Sequence, residues 1–145
     1  MKKFNIRCYA IIVNEKNEIL LSDEERFGHS FTKFIGGGLE FGEGTKECLQ
    51  REIKEELNLN AEIGDLFYVN DFYQPSLFNK DDQIIAFYYL INQINFKAIP
   101  IEQKSTLKNS EGESFRWKKI DELKESDVTF PIDKIVVKKF KKKPH

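Results

Sequence analysis

Three glutamates, Glu52, Glu55 and Glu56, are spaced so that a single helix would present them together. Steps of three and four residues place their side chains within an arc of about 100°. Like charges this close repel one another, and the nearest cations, Arg51 and Lys54, are expected to point to other faces. A divalent cation of the magnesium type, which prefers carboxylate oxygens, would favour such a cluster. The alternative is an acidic helix face exposed to solvent.

The helix that would carry these acids is predicted at residues 46–57, with Thr45 as its N-cap. Its apolar stripe consists of Leu49, Ile53 and Leu57. Three consecutive glycines, residues 36–38, precede it and would let the backbone turn sharply or approach a ligand closely. No Gly-Lys-Ser/Thr follows them, so they do not form a Walker-type phosphate loop.

Residues 37–59 resemble the signature of the Nudix hydrolase family, G-x5-E-x7-R-E-U-x-E-E-x-G-U, in which U is a bulky aliphatic residue. The positions that match without a gap are Gly37, Glu43, Arg51, Glu52, Ile53, Glu55, Glu56 and Leu59. Asn58 stands where the family has glycine. This position is expected to follow the helix in the left-handed conformation, where asparagine is the usual substitute for glycine.

The resemblance implies a hydrolase that cleaves a phosphoanhydride bond in a nucleoside diphosphate linked to another group. It also implies an α/β fold, an α/β/α sandwich built on a mixed β-sheet. The implied cofactor is Mg²⁺, with Mn²⁺ as a substitute. Its ligands would be Glu52, Glu55, Glu56 and backbone groups of Gly37, with Gly38 as a weaker candidate.

The implied catalytic residues are Glu52, Arg51 and Glu43. Glu52 is the leading candidate for the general base, and Arg51 would orient a glutamate rather than contact the substrate. Glu43 would receive this arginine or reach the metal ions through water. The alternative for Arg51 and Glu43 is an ordinary surface ion pair, which contributes under ~1 kcal/mol.

A further acid could come from a downstream segment. Glu111 lies six residues before Trp117, a spacing that resembles the branch of the family that cleaves nucleoside triphosphates. We therefore include Glu111 among the predicted metal ligands. Glu113 is its rival, and for either residue the alternative is a solvated loop acid.

Substrate contacts are predicted from residue type alone. Arg26, Phe27 and Tyr73 are candidates for binding a phosphate or stacking on a base, as are Phe34 and Asp121. For each of them the alternative is an ordinary core or surface position. The expected substrate is a small nucleotide, a nucleoside di- or triphosphate derivative.

Two other functions were weighed against hydrolysis. A Nudix module that binds nucleotides without cleaving them would usually lose signature acids, whereas Glu43, Glu52, Glu55 and Glu56 are all present. An isomerase of isoprenoid diphosphates would need additional cysteine, histidine and acidic positions. His29, His145, Cys8 and Cys48 do not supply a convincing set.

Composition predicts one soluble domain, residues 1–145, with 40% hydrophobic and 32% charged residues. A net charge of −1 gives no basic field for nucleic acid, and the lysine-rich stretch at 138–143 is interpreted as a solvated end. No apolar stretch is long enough for a signal peptide or a membrane span. Two cysteines without metal-type spacing indicate buried thiols in a reducing compartment, so the predicted location is the cytoplasm. Many members of the resembling family form dimers, and the aromatic segment 72–78 is the candidate interface of a homodimer.

Hydrophobic patterning predicts the remaining elements. Strands are expected at 5–13, 18–22 (returning as a hairpin), 31–35, 61–73, 83–91 and 114–120, with 96–101 as a strand or extended edge. Loops are expected at 23–30 and 74–82, and 102–113 has little regularity. One helical turn is predicted at 121–126, and a C-terminal helix begins near Pro131.

Overall fold

The computed structural model describes residues 1–101 and 112–142. The strands within these ranges are β1 (Lys3–Ile11), β2 (Glu18–Arg26), β3 (His29–Lys33), β4 (Ile35–Gly38), β5 (Glu62–Val69), β6 (Asp82–Gln93) and β7 (Glu113–Lys119). The α-helices are α1 (Thr45–Leu57) and α2 (Pro131–Lys142). Short 3₁₀ turns occur at Phe96–Ala98, Ile120–Glu122 and Glu125–Asp127. None of these helices has the length and apolar character needed to cross a membrane.

The strands form two sheets. The larger sheet has the order β4-β1-β6-β5 and is mixed, because β1 runs parallel to β6 and antiparallel to β4. The smaller sheet has the order β3-β2-β7 and is antiparallel. β2 follows β1 in sequence but belongs to the smaller sheet. Residues 18–22 therefore do not pair with β1 along their length, as the predicted hairpin would require. Among the described residues, a single antiparallel bridge, between Val13 just after β1 and Ile19 of β2, represents the predicted hairpin.

Alternate residues of β1 face two separate cores. Cys8 and Ala10 pack with the apolar stripe of α1, whereas Tyr9 and Ile11 pack with apolar residues of α2. The two helices therefore cover opposite faces of the larger sheet, which confirms the predicted α/β/α arrangement. The residues Cys8–Ile11 of β1 are therefore buried on both faces, and Arg7, directly before them, is partly buried.

The cap of α1 differs from the prediction. Gly44, not Thr45, is the N-cap, and its backbone N–H donates to the Glu47 carboxylate at 2.7 Å. Thr45 is the first helical residue, and its hydroxyl shares a 2.6 Å hydrogen bond with the Tyr89 hydroxyl. At the other end Asn58 adopts the left-handed conformation, φ 56° and ψ 38°, as the sequence predicted.

Two segments were assigned incorrectly from the sequence. Residues 23–30 are not a loop, because β2 continues to Arg26 and β3 begins at His29. Phe27 and Gly28 form the tight connection, both with positive φ, as hairpin turns require. Residues 96–101 do not form a strand: Phe96–Ala98 is a 3₁₀ turn, and only Ile101 bridges to Phe115.

Candidate functional site

A cavity of about 360 Å³ collects charged and aromatic side chains from both sheets and both helices. The charged lining residues are Arg7, Glu24, Arg26, Lys33, Glu52, Glu56 and Asp133. The aromatic ones include Phe27, Phe31, Phe78 and Phe130. Phe31, Phe78 and Phe130 pack against one another with ring centroids 5.3–5.8 Å apart. The cavity thus combines an acidic region with an apolar one.

Gly37 makes room for the carboxylate of Glu52. A Cβ atom at Gly37 would lie 2.5 Å from Glu52 Cδ and 2.6 Å from both carboxylate oxygens. Glu52 is 5% exposed, so its carboxylate has little freedom to move away. The glycine required by the signature is therefore explained by close packing against the first of its helical acids.

Arg51 ties several acids of the site together. Its guanidinium donates to both oxygens of Glu43, at 3.0 and 2.7 Å, and to Glu52 Oε2 at 2.9 Å. It also donates to Glu55 Oε2 at 3.3 Å and to the Gly38 carbonyl at 2.9 Å. The expectation that Arg51 points to another face was wrong, because its long side chain folds back over the acids. Lys54, by contrast, is exposed.

This network also changes proton affinities. The hydrogen bond from Arg51 and a second one from the Glu40 backbone lower the pKa of Glu43 to about 2. The same bond to Glu43 raises the pKa of Arg51 above its usual value, against the effect of burial. The two-pronged contact is more specific than an exposed ion pair, which favours an orienting role for Arg51.

A second acidic group lies deeper in the site. Carboxylate oxygens of Glu24, Glu56 and Glu113 come within 4.8 Å of one another, and all three residues are buried. They originate from β2, α1 and β7. The Ser22 hydroxyl contacts both Glu24 and Glu113 at 3.1 Å. Among the described residues, Glu113 Oε1 has no hydrogen-bond partner.

Lys33 balances part of this negative charge. Its ammonium group lies 3.0 Å from Glu24 Oε2 and 3.1 Å from the Phe34 carbonyl. Burial would lower the pKa of Lys33, but the negative charges of Glu56 and Glu24 outweigh it and raise the pKa. Burial would likewise raise the pKa of Glu24, yet Lys33, Glu113 and Arg26 bring it below its usual value. Lys33 and Arg26, which both pair with Glu24, are fewer than the three carboxylates, so the cluster keeps excess negative charge.

The donor set fits a hard divalent cation. Carboxylate oxygens converge without histidine or thiolate nearby, the chemistry that Mg²⁺ and Mn²⁺ prefer. An unpartnered buried oxygen of Glu113 is also costly unless a cation or water satisfies it. The candidate acidic cluster therefore involves Glu56, as the sequence indicated, together with Glu24 and Glu113.

The other predicted residues lie in different surroundings. Arg26 and Phe27 line the cavity, and Phe27 is 78% exposed at its rim. Glu55 is exposed and contacts Arg51. Tyr73 is 65% exposed and does not line the cavity, whereas the residues that follow it, 74–78, do. Phe34 is a core residue, Asp121 is exposed on a 3₁₀ turn, and Glu111 falls outside the described ranges.

Four charged lining residues were not singled out from the sequence: Arg7, Glu24, Lys33 and Asp133. Glu24 lies in a charged segment that resembled a loop. The sequence shows Arg7 alternating with Tyr9 and Ile11, but only the structure shows that these two neighbours belong to a core. A lone cation on such a face is a candidate for ligand binding.

Asp133 gives a testable pH dependence. It is 1% exposed, accepts a hydrogen bond from the Tyr88 hydroxyl, and has no described partner at Oδ2. Burial raises its pKa from 3.8 to about 6, although the Tyr88 hydrogen bond opposes this. The folded protein thus binds the proton more tightly than the unfolded chain. The contribution of Asp133 to the stability should therefore fall by about 3 kcal/mol as pH rises from about 4 to about 6.

Asp133→Asn, which stays neutral, should remove this loss and be more stable than the wild type above about pH 6. Urea unfolding of both proteins between about pH 4 and 8 measures the difference. The exposed Asp65→Asn is the matched control. Parallel pH curves for wild type and Asp133→Asn would contradict the assignment.

Comparisons with known proteins agree with this geometry. The family model of the NUDIX domain matches residues 3–140. The 8-oxo-dGTP diphosphatase of Escherichia coli (strain K12) is 30% identical over 95 residues, 64% of this chain and 69% of that protein. A NAD-capped RNA hydrolase of Vibrio parahaemolyticus (serotype O3:K6, strain RIMD 2210633) is 33% identical over 54 residues, 37% of this chain. That match spans only 21% of the relative's length.

A solved MutT NUDIX hydrolase from Burkholderia pseudomallei superposes with a TM-score of 0.72 at 20% identity. The match covers 94% of this chain and 98% of that one, which shows a common fold. The chain therefore belongs to the Nudix family, with a MutT-like fold. It is an enzyme of the pyrophosphohydrolase class within that family.

Proposed function

We propose that this enzyme uses Mg²⁺ to cleave a phosphoanhydride bond in a nucleoside triphosphate or a similar nucleotide derivative. One observation carries the proposal: the buried acids and the aromatic cluster line the same cavity. The acids suit a metal-bound diphosphate, and the aromatic rings suit a nucleobase. A small nucleotide has both parts.

Glu52 and Arg51 have distinct proposed roles in the reaction. Glu52, fixed between Gly37 and Arg51, accepts the proton of the attacking water. Arg51, anchored on Glu43 and the Gly38 carbonyl, keeps the Glu52 carboxylate in place. The metal, when bound, neutralises phosphate oxygens and lowers the pKa of water. Precise placement of Glu52 is what the protein contributes to the proton transfer.

The proposed metal ligands are Glu52, Glu55, Glu56 and the backbone of Gly37. Of the two downstream acids, Glu113 is supported by its place beside Glu56 and Glu24, whereas Glu111 stays a sequence prediction. Glu24 is an additional candidate, because its carboxylate belongs to the same buried group. Mn²⁺ should substitute for Mg²⁺, since both accept oxygen ligands.

The substrate is proposed to enter past Phe27 with its base toward Phe31, Phe78 and Phe130. Arg26, paired with Glu24 at 3.3 Å, lies where it can contact a phosphate. The E. coli relative acts on 8-oxo-dGTP by its name, so purine nucleoside triphosphates belong in the first assay. The cytoplasmic location, the homodimer and the absence of nucleic-acid binding stay predictions.

The test is a hydrolysis assay over a panel of nucleoside triphosphates, 8-oxo-dGTP, nucleotide sugars and NAD. Each compound is incubated with Mg²⁺, with Mn²⁺ or with EDTA, and release of nucleoside monophosphate is followed. We expect metal-dependent turnover of at least one nucleoside triphosphate. Turnover that persists in EDTA, or binding without turnover under all conditions, would reject the proposal. The second result would favour a non-catalytic nucleotide-binding module.

A further inference from the structure

Arg7 occupies an unusual position in the cavity. It lies on the face of β1 that also presents Asn5 and Tyr9 to the cavity. In the sheet register its neighbours are Gly38 on β4 and Ala86 on β6. Both neighbours are small, so neither places a long side chain beside Arg7. The Arg7 guanidinium lies next to Gly38, where a built Cβ atom would be at an ordinary van der Waals distance of 3.7 Å from Arg7 Nη1.

The guanidinium is held in place by one side chain. Arg7 Nε donates to the Tyr9 hydroxyl at 2.6 Å, and its central carbon lies 5.7 Å from the Tyr9 ring centroid. No carboxylate of the described residues comes within 4.0 Å of it. Its two terminal nitrogens, which carry four N–H donors, make no hydrogen bond to the described part of the chain. The charge is nevertheless maintained, because Tyr9, Glu52 and Glu24 raise the pKa of Arg7 against the effect of burial.

A partly buried cation whose N–H donors lack acceptors is unfavourable unless an anion pairs with it and accepts hydrogen bonds from it. The planar fork of a guanidinium matches a phosphate group, to which it can donate two parallel hydrogen bonds. Among the described residues, the acids of this site that form ion pairs do so with other cations: Glu52 and Glu43 with Arg51, and Glu24 with Lys33 and Arg26. The missing partner of Arg7 is therefore an anion that enters the cavity from outside.

We propose that Arg7 binds the phosphate group that carries the nucleoside. The proposal rests on the proposed function and adds a specificity residue to it. Arg7 lies between Gly38 on β4 and Ala86 on β6, and it lines the cavity that holds both the acids and the aromatic rings. A phosphate at this junction lies between the scissile bond and the base. It remains on the product after cleavage, so its contact with Arg7 can be measured without catalysis.

The experiment measures binding of AMP and GMP against adenosine and guanosine, in EDTA, by protein-observed NMR titration. Without divalent metal, the preference for the monophosphate reports protein groups alone. In the wild type we expect at least one monophosphate to bind about tenfold or more tightly than its nucleoside. Arg7→Gln should abolish this preference and leave nucleoside affinity unchanged. Arg7→Lys, which keeps the charge but not the fork, should retain part of it.

Arg116→Gln is the matched control, because Arg116 pairs with Asp23 at 2.7 Å and does not line the cavity. Its preference for the monophosphate should equal that of the wild type. A preference that survives in Arg7→Gln, or is absent from the wild type, would overturn the proposal. The hydrolysis assay distinguishes the two proposals: metal-dependent turnover with an unchanged preference in Arg7→Gln rejects only the role of Arg7. If Arg7→Gln does not fold, Arg7→Lys is compared with the wild type instead. A preference for the monophosphate that is fully retained in Arg7→Lys would then reject the proposed role of Arg7.

Discussion

Replacing Glu56 by glutamine is expected to lower kcat by about a hundredfold or more while the protein stays folded. Glu56 is 1% exposed and shares a group of close carboxylates with Glu24 and Glu113. Glutamine preserves the shape but removes the charge that would bind a divalent cation. Changes to residues that merely support metal ligands cost about 10–100-fold, so loss of a ligand should cost at least as much.

Stability measurements separate this effect from unfolding. Without metal, removal of the Glu56 charge relieves repulsion from Glu24 and Glu113 but weakens attraction to Lys33. These contributions oppose each other, and the metal-free Tm should change little. Added Mg²⁺ or Mn²⁺ should raise the Tm of the wild type, because a ligand that binds the folded state stabilises it. Glu56→Gln should lose most of that increase.

The control for Glu56→Gln is Glu122→Gln, a change of the same type at an exposed position of a 3₁₀ turn. It should keep both the rate and the metal-dependent rise in Tm. If Glu56→Gln kept them as well, the acidic cluster would be a buried polar group without a role in metal binding. That outcome would remove the main support for the proposed hydrolysis.

The sequence predicted what short-range patterns determine. The spacing of Glu52, Glu55 and Glu56, the apolar stripe of α1 and the left-handed Asn58 all depend on residues within one or two helical turns. These features follow from helix geometry. Placement of Thr45 as the cap failed because glycine can also cap a helix, and here Glu47 supplies the side chain that satisfies the N-terminal backbone.

The rest of the site depends on contacts between distant segments. Glu24, Lys33 and Glu113 come from three strands of the smaller sheet, and only the pairing of β2 with β3 and β7 brings them together. In sequence, Glu24 looked like part of a charged loop, since alternation of polar residues cannot distinguish a loop from a strand facing a polar cavity. Arg7 was overlooked for a related reason, because burial on both faces of β1 becomes evident only when α2 is in place.

Replacing Gly37 by alanine should lower kcat by about a hundredfold with a smaller effect on substrate binding. The new Cβ would lie 2.5 Å from Glu52 Cδ, closer than packed atoms can be, so the carboxylate must move. Arg51 resists this movement, because it is itself held by Glu43 and the Gly38 carbonyl. A displacement of about 1 Å in a catalytic group can cost about 10²-fold in rate. The apolar region and Arg7 are unaffected, so KM should change less than kcat.

Gly38→Ala is the matched control, since its Cβ would meet nothing closer than 3.7 Å, and its loss of kcat should be much smaller. A double-mutant cycle tests whether Gly37→Ala lowers kcat by displacing the Glu52 carboxylate. If Gly37 acts through Glu52, then Gly37→Ala should add little to the loss already caused by Glu52→Gln. Additive losses would show that Gly37 acts independently of Glu52, for instance through its own backbone groups. An undiminished kcat in Gly37→Ala would show that the Glu52 carboxylate need not occupy its present position for catalysis.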